Sequence, residues 1–244
     1  NDSNQLAQPD SVSGSTDWVD IPGRYRDLST SDSGVCAVNE EGTWCWGLST
    51  FDATVRTPEI ECIPGSDGSC FTGLISVAAG IGRGCGLDAT GRAFCWGGNE
   101  GGFLGVEGPA RVTMATPVDT ELRFNQLEAA GTSFCGIDAS ESGLHCWGRN
   151  GSGSLGVGDQ LDVSRPRRVE VDAGDRWSSV AMDGAYSCGI RQGGELYCWG
   201  SNAGRGPAGS RVAGRLGLGL GTDGRDPEDA VAVTRPRRVC FEEP

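Results

Sequence analysis

The side chains best suited to chemistry are the thiols. Eleven Cys stand in a chain of 244 residues, beside a single His. Eight of them form pairs: Cys36 with Cys45, Cys85 with Cys95, Cys135 with Cys146, and Cys188 with Cys198, separated by 9, 10, 11 and 10 residues. Paired thiols either hold a metal or form a disulfide. Zinc sites gather ligands about two to four residues apart in two clusters, and these gaps are too long for that. A disulfide needs Cα atoms about 4.4–6.8 Å apart, and directly opposed residues of an antiparallel hairpin lie about 4.5–5.5 Å apart. The midpoints of the four pairs fall between Glu40 and Glu41, on Thr90, between Ser140 and Glu141, and on Gly193, each in a polar turn. Each pair is therefore expected to face itself across a hairpin as a cross-strand disulfide. Cys62 and Cys70, in CIPGSDGSC, are expected to close a local loop disulfide. Cys240 is left over, unpaired or bound to another molecule.

No other cluster completes a site. His145 adjoins Cys146 without a placed nucleophile or orienting carboxylate, which acid–base catalysis needs; it reads as structural. The Gly-rich runs 102–108, 153–158 and 214–221 lack the Lys-Ser/Thr and the strand–helix setting of phosphate loops, so turn geometry explains them. Asp223, Asp226, Glu228 and Asp229 offer hard oxygen ligands of the calcium type. Their spacing does not match a calcium loop, and they read as solvated, with calcium the alternative. Asn1-Asp2-Ser3 and Asn150-Gly151-Ser152 fit the glycosylation acceptor pattern. The formal net charge of -13 opposes nucleic-acid binding, which needs clustered positive charge. All 20 basic side chains are Arg, and the clusters Arg165–Arg168 and Arg235–Arg238 face either a partner or this chain's own acids. No cofactor is expected.

The elements that hold these residues repeat. Cys-Trp-Gly recurs at Cys45, Cys95, Cys146 and Cys198, at intervals of 50, 51 and 52 residues. Each copy reads as an apolar run, a polar turn and a returning aromatic run, which is a hairpin signal. A short β-rich segment precedes each hairpin, and a Gly-rich loop and a Pro-marked segment follow it. Units of this kind, near 24–62, 73–120, 126–171 and 176–241, predict an all-β propeller of about four blades over 17–244, behind a polar leader at 1–16. Strand alternation puts Trp46, Trp96, Trp147 and Trp199 opposite the Cys, in the core between blades. Trp18, Trp44 and Trp177 are less constrained, which leaves sugar stacking open.

The unit Gly-x-x-x-Cys-Trp-Gly-x-Asn-x-x-Gly-x-Leu-Gly-x-Gly…Arg-Pro-x-x-Val, best seen from Gly143 to Val169, resembles the regulator-of-chromosome-condensation repeat. The resemblance covers about 17–241. It implies a propeller whose functions range over nucleotide exchange, chromatin binding, inhibition of secreted β-lactamases and bacterial surface roles. The chain departs from the family in its cross-strand Cys, its acidity, its four units against about seven, and the missing Gly-rich loop of the first unit. Four units are expected to close as a compact ring, with Trp18–Ile21 as a spare strand for the closure.

Regular disulfides imply an oxidising compartment, and the chain reads as the mature form of an exported protein. The function expected is a non-catalytic extracytoplasmic binding or scaffold module, possible as an accessory subunit of a surface or envelope assembly. The alternatives are a secreted enzyme inhibitor and a carbohydrate-binding surface protein. A protein partner is expected at the rim loops 48–72, 98–116 and 201–234, with assembly into oligomers open, no nucleic acid and no transmembrane segment. Peptide mapping without reduction should recover the four hairpin pairs as linked peptides; free thiols at these eight positions, or links between distant units, would refute the pairing.

Overall fold

The computed structural model describes residues 21, 23–32, 34–48, 56–202, 204–205, 211–212, 216 and 232–239. The leader, Trp18, Cys240 and the acidic run from Asp223 to Asp229 lie outside them.

Four four-stranded antiparallel meanders follow one another along the chain. The first blade holds β1 (Asp27–Thr30), β2 (Gly34–Val38), β3 (Thr43–Leu48) and β4 (Arg56–Cys62). The second holds β5 (Leu74–Gly80), β6 (Arg83–Asp88), β7 (Ala93–Gly98) and β8 (Arg111–Pro117). The third holds β9 (Phe124–Ala130), β10 (Ser133–Asp138), β11 (Leu144–Gly148) and β12 (Val163–Arg168). The fourth holds β13 (Trp177–Asp183), β14 (Tyr186–Arg191) and β15 (Leu196–Ser201). It is completed by β18 (Ala232–Arg238), after a small hairpin of β16 (Gly204–Arg205) and β17 (Arg211–Val212). These are propeller blades, with the first strand of each sheet innermost.

Turn chemistry starts the first three hairpins. Asp88 Oδ1 accepts from the Thr90 amide and hydroxyl at 2.8 and 2.7 Å. Asp138 does the same for Ser140, at 2.9 Å each. In the first blade Asn39 Oδ1 accepts from the Glu41 and Gly42 amides at 2.9 Å each. These side chains bond their own backbone two or three residues on and so fix the turn. The register that follows puts Cys36 opposite Cys45, Cys85 opposite Cys95, Cys135 opposite Cys146 and Cys188 opposite Cys198. All four pairs are disulfides with Cα atoms 4.0–4.1 Å apart, and Cys62 is bonded to Cys70.

The Gly of each Cys-Trp-Gly has its own cause. The ladder to the outermost strand skips the Trp, so that Cys95 opposes Thr116 while Gly97 opposes Val112, and every blade repeats this shift. Such a bulge needs a residue at positive φ. Gly47, Gly97, Gly148 and Gly200 supply it at 102°, 97°, 108° and 102°, a conformation that costs Gly little.

The core lies between blades. Each hairpin has a thiol face and a tryptophan face. The thiol face of the first blade (Cys36, Val38, Cys45) shares one cluster with Val77 and Trp96 of the second. Cys85, Leu87 and Cys95 pack likewise with Leu127 and Trp147 of the third. Cys135, Ile137 and Cys146 pack with Val180 and Trp199 of the fourth. All four Trp of the motif are buried.

The expected closure of the ring falls largely on residues outside those described, and among the described residues the two end blades differ from the inner ones in how far their strands are covered. Val77, Leu127 and Val180 are 7, 9 and 3 % exposed, whereas Leu28, at the same place in the first blade, is 64 % exposed. Val38, Leu87 and Ile137 are 0, 3 and 1 % exposed, whereas Ile190 in the fourth blade is 40 % exposed. The innermost strands of successive blades pack on one another in chain order, and among the described residues the fourth blade makes no comparable contact with the first. Burial at the inner positions comes from a neighbouring blade.

Gly136 shows how tightly this core is filled. A Cβ there would meet the Phe124 ring at 2.6 Å. Gly136→Val is expected to cost about 1–3 kcal/mol by overpacking, measured by denaturant unfolding under oxidising conditions.

Candidate functional site

The Gly-rich loops are built by one repeated device. In the second blade Asn99 Oδ1 accepts from the Leu104 amide at 3.1 Å, and its Nδ2 donates to the Val106 and Pro109 carbonyls at 3.3 and 3.2 Å. In the third, Asn150 Oδ1 accepts from the Leu155 amide at 3.0 Å, and Nδ2 donates to the Asp159 carbonyl at 2.8 Å. In the fourth, Asn202 Oδ1 accepts from the Leu216 amide at 3.1 Å. Leu104, Leu155 and Leu216 are buried. The loops of the second and third blades each roof the Trp of the next blade. Gly156 sits at φ 70°, where a Cβ would meet Trp199 Nε1 at 2.6 Å, and Trp199 Nε1 donates to the Ser154 carbonyl at 2.8 Å. Gly105, at φ 74°, stands in the same relation to Trp147. Sequence reading took these glycines as turn residues and missed the socket. The Asn five residues before the Leu in the second and third blades, Asn99 to Leu104 and Asn150 to Leu155, was the available signal.

Asn150 is buried and its amide is committed to the loop, so the acceptor pattern at 150–152 is not displayed for glycosylation. His145 is buried too. Its Nδ1 lies 3.3 Å from the Gly143 carbonyl, and its ring meets Phe124 edge-on at 6.4 Å. Burial pushes the imidazole below its ordinary value, against the opposing pull of the Gly143 carbonyl and Asp138. Trp177 is buried against Tyr197 and Trp199, with ring centroids at 5.9 and 5.8 Å, which removes it from sugar stacking. Trp44 is half-buried, donates from Nε1 to Asn39 Oδ1 at 3.0 Å, and lines an open cleft of about 840 Å³ with Arg24, Tyr25, Arg26, Glu40 and Glu41.

The first Arg cluster pairs with the chain's own acids. Arg165 reaches across to Glu107 at 2.6 Å and to Asp119 of the second blade. Arg167 meets Asp159 at 2.9 Å and Arg168 meets Glu141 at 3.1 Å. The Arg165 bridges stand over two adjoining rim clefts. One, of about 340 Å³, is lined by Asn99, Gly102, Val106, Glu107, Ser164 and Arg165. The other, of about 620 Å³, runs from Arg92 past Thr116, Asp119 and Glu121 to Arg165. Toward the axis, Asp27 and Glu128 line a smaller cleft of about 280 Å³. Burial there raises the Glu128 carboxyl, partly offset by Gln126 and reinforced by the Asp27 charge. Among the described residues no group of three or more His, Cys, Asp or Glu is placed to hold a metal ion, and no helix is long and apolar enough to cross a membrane.

Four meander blades, each stapled through its hairpin, define a β-propeller repeat protein. The model of the Regulator of chromosome condensation (RCC1) repeat matches residues 141–190 and, in a second form, 74–102. In these two stretches the chain carries RCC1-like repeats. It is 30 % identical to the Ultraviolet-B receptor UVR8 of Arabidopsis thaliana over 64 % of this chain and 34 % of that protein. It is 29 % identical to the mitochondrial RCC1 domain-containing protein RUG3 of the same plant, over 71 % of this chain and 36 % of that one. The chain therefore spans about a third of the length of these relatives. Human WBSCR16 shares the fold with a TM-score of 0.73 at 17 % identity, covering 99 % of this chain and 61 % of that one. Prp20p of Saccharomyces cerevisiae does so at 0.62 and 20 %, covering 86 % and 50 %.

The sole imidazole allows a direct test of its burial. A base whose folded pKa lies below its unfolded value of about 6.5 stabilises the fold above that value, and the contribution is lost as pH falls through the folded pKa. Magnetic resonance titration should therefore place His145 below about 6.5, and the stability advantage of the native chain over His145→Gln should shrink as the solution is acidified. Titration at or above the unfolded value would contradict the burial.

Proposed function

We propose that this chain is a non-catalytic extracytoplasmic binding module that meets a protein partner at the rim between its second and third blades. The observation that carries the reading is the Glu107–Arg165–Asp119 cluster over the paired rim clefts. Glu107 and Arg165 are exposed, yet the loop beneath them is fixed by Asn99. A preorganised charged rim beside a cleft loses little entropy on binding and steers a partner of complementary charge. The five disulfides support an oxidising compartment. Among solved proteins of this fold, Prp20p is described by its binding to Gsp1p and histones. This acidic chain presents different chemistry from a histone-binding or nucleic-acid surface only in part, since histones are basic; its compartment is what separates the two settings.

A photo-crosslinking residue in place of Glu107, in the chain expressed in its native source, should give a discrete protein adduct. Arg165→Glu should reduce that adduct roughly three- to tenfold while leaving the disulfides and thermal unfolding unchanged. A folded chain that forms no adduct, or one indifferent to the charge reversal, would overturn the rim assignment.

A further inference from the structure

The fifth disulfide differs from the other four in place and in access. Cys62 and Cys70 are joined outside the hairpin motif, and theirs is the one pair of the five in which neither Cys is buried. Cys36, Cys45, Cys85, Cys95, Cys135, Cys146 and Cys198 are 0–4 % exposed, and Cys188 alone among the hairpin thiols is half-exposed. The bond closes a small hairpin. Phe71 donates its amide to the Ile63 carbonyl at 2.8 Å and Gly65 donates to the Ser69 carbonyl at 2.7 Å. Asp67 Oδ1 accepts from the Ser69 amide and hydroxyl at 3.0 and 2.7 Å. The tip from Ser66 to Ser69 stands in solvent. A lone two-stranded hairpin is marginally stable in water, so the staple is what keeps this one folded.

The base of the hairpin is clamped between the first two blades. Toward the first blade, Ile63 donates to the Thr43 carbonyl at 2.8 Å, and Thr43 Oγ1 donates to the Phe71 carbonyl at 3.2 Å. Cys70 lies against Gly42, where an added Cβ would come within 2.9 Å of the Cys70 Cβ. Toward the second blade, the Ala115 amide of β8 donates to the Pro64 carbonyl at 2.9 Å, and Phe71 packs on Phe94 of β7 with ring centroids 5.0 Å apart. Ile63 and Ala115 are buried in one cluster with Trp96. In sequence the first unit lacks the Gly-x-Leu-Gly run of the other three, and this hairpin ties it to its neighbour.

We propose that Cys62–Cys70 is a redox latch on the first junction, and that reduction by a dithiol frees the 63–71 hairpin and with it β8. One thiolate of the dithiol attacks an accessible sulfur of the pair. The Cys62–Cys70 bond breaks, a mixed disulfide forms, and the departing sulfur takes a proton. The second thiol of the reductant then displaces the mixed disulfide. The protein gains two electrons and two protons as two thiols, and the dithiol becomes a disulfide. Three of the hairpin pairs are buried on both sides and the fourth is open only at Cys188, so the blades keep their register while the junction loosens. A thiol–disulfide change of this kind switches a protein when it biases an element with two arrangements; here that element is the stapled hairpin. β8 runs on through Thr116 and Pro117 toward Asp119, all of which line the rim cleft of about 620 Å³. Control of that cleft by the latch rests on the rim reading; the latch itself does not.

Graded reduction of the folded chain tests it. Free thiols are blocked, dithiothreitol is added, and the thiols released are alkylated and mapped. Cys62 and Cys70 should be labelled roughly tenfold faster than any hairpin Cys. Hydrogen exchange of the Ala115 amide should rise roughly tenfold in that partly reduced chain and in Cys62→Ser/Cys70→Ser, while β10 and β11 keep their native protection. A hairpin pair that opens first, or an Ala115 amide equally protected in the native, reduced and doubly substituted chains, would sink the latch. The Glu107 adduct separates the two readings. The double substitution should lower it roughly threefold. An adduct unchanged by the substitution takes the rim out of the latch's control. An adduct absent from the native chain ends the rim reading and leaves the latch to the mapping and exchange results.

Discussion

The contact on which the rest of the molecule depends is the packing of one blade's disulfide against the next blade's tryptophan. A blade of four short strands cannot bury a core within itself, because its two faces are each one residue deep. Burial comes only from a neighbour. The disulfide gives each blade a flat, fixed thiol face, and the Trp of the neighbour covers it with the largest apolar side chain available. The Gly-rich loop then closes over the ring from above. Three structural layers, the staple, the ring and the loop, are therefore parts of one joint, and the joint repeats.

This arrangement distributes stability along the chain. Each blade touches its sequence neighbours, so stability accumulates from nearest-neighbour interfaces in the manner of repeat proteins. The cross-strand disulfides enclose short loops and remove little unfolded-state entropy, on the order of 2–3 kcal/mol each in a chain-entropy account. Their larger service is to hold hairpin register. A slip of one residue would exchange the thiol and tryptophan faces and destroy two joints at once. The same logic explains the glycines opposite Leu74, Phe124 and Trp177. Gly86, Gly136 and Gly189 leave room beside the staple where any Cβ would meet those side chains at 2.5–2.7 Å.

Function follows from what the joints leave uncovered. The charges pair locally, the imidazole is buried, and most of the aromatic side chains serve the core. On the proposed reading recognition falls to the rim, where a loop fixed by the buried Asn99 lifts Glu107 into solvent beside Arg165. Rigid scaffold and displayed loop are separate parts of the sequence, which lets the loops vary without disturbing the joints.

Much of this was legible in the residues alone. The even intervals of Cys-Trp-Gly carried the blade count, and the midpoints of the Cys pairs carried the register, because a hairpin is a local structure whose geometry depends on spacing. The inward place of the four Trp followed from strand alternation. Other features were decided by contacts across long stretches of chain. Asn150 matches an acceptor pattern in sequence but is buried by a loop that folds around it. Arg165 looked available to a partner until the second blade brought Glu107 and Asp119 beside it. Leu28 and Ile190 are apolar strand residues like Val77 and Ile137, and nothing in their own neighbourhood marks them as different. Only the tertiary structure shows them exposed, since burial in a propeller is conferred by the neighbouring repeat and not by the residue's own strand.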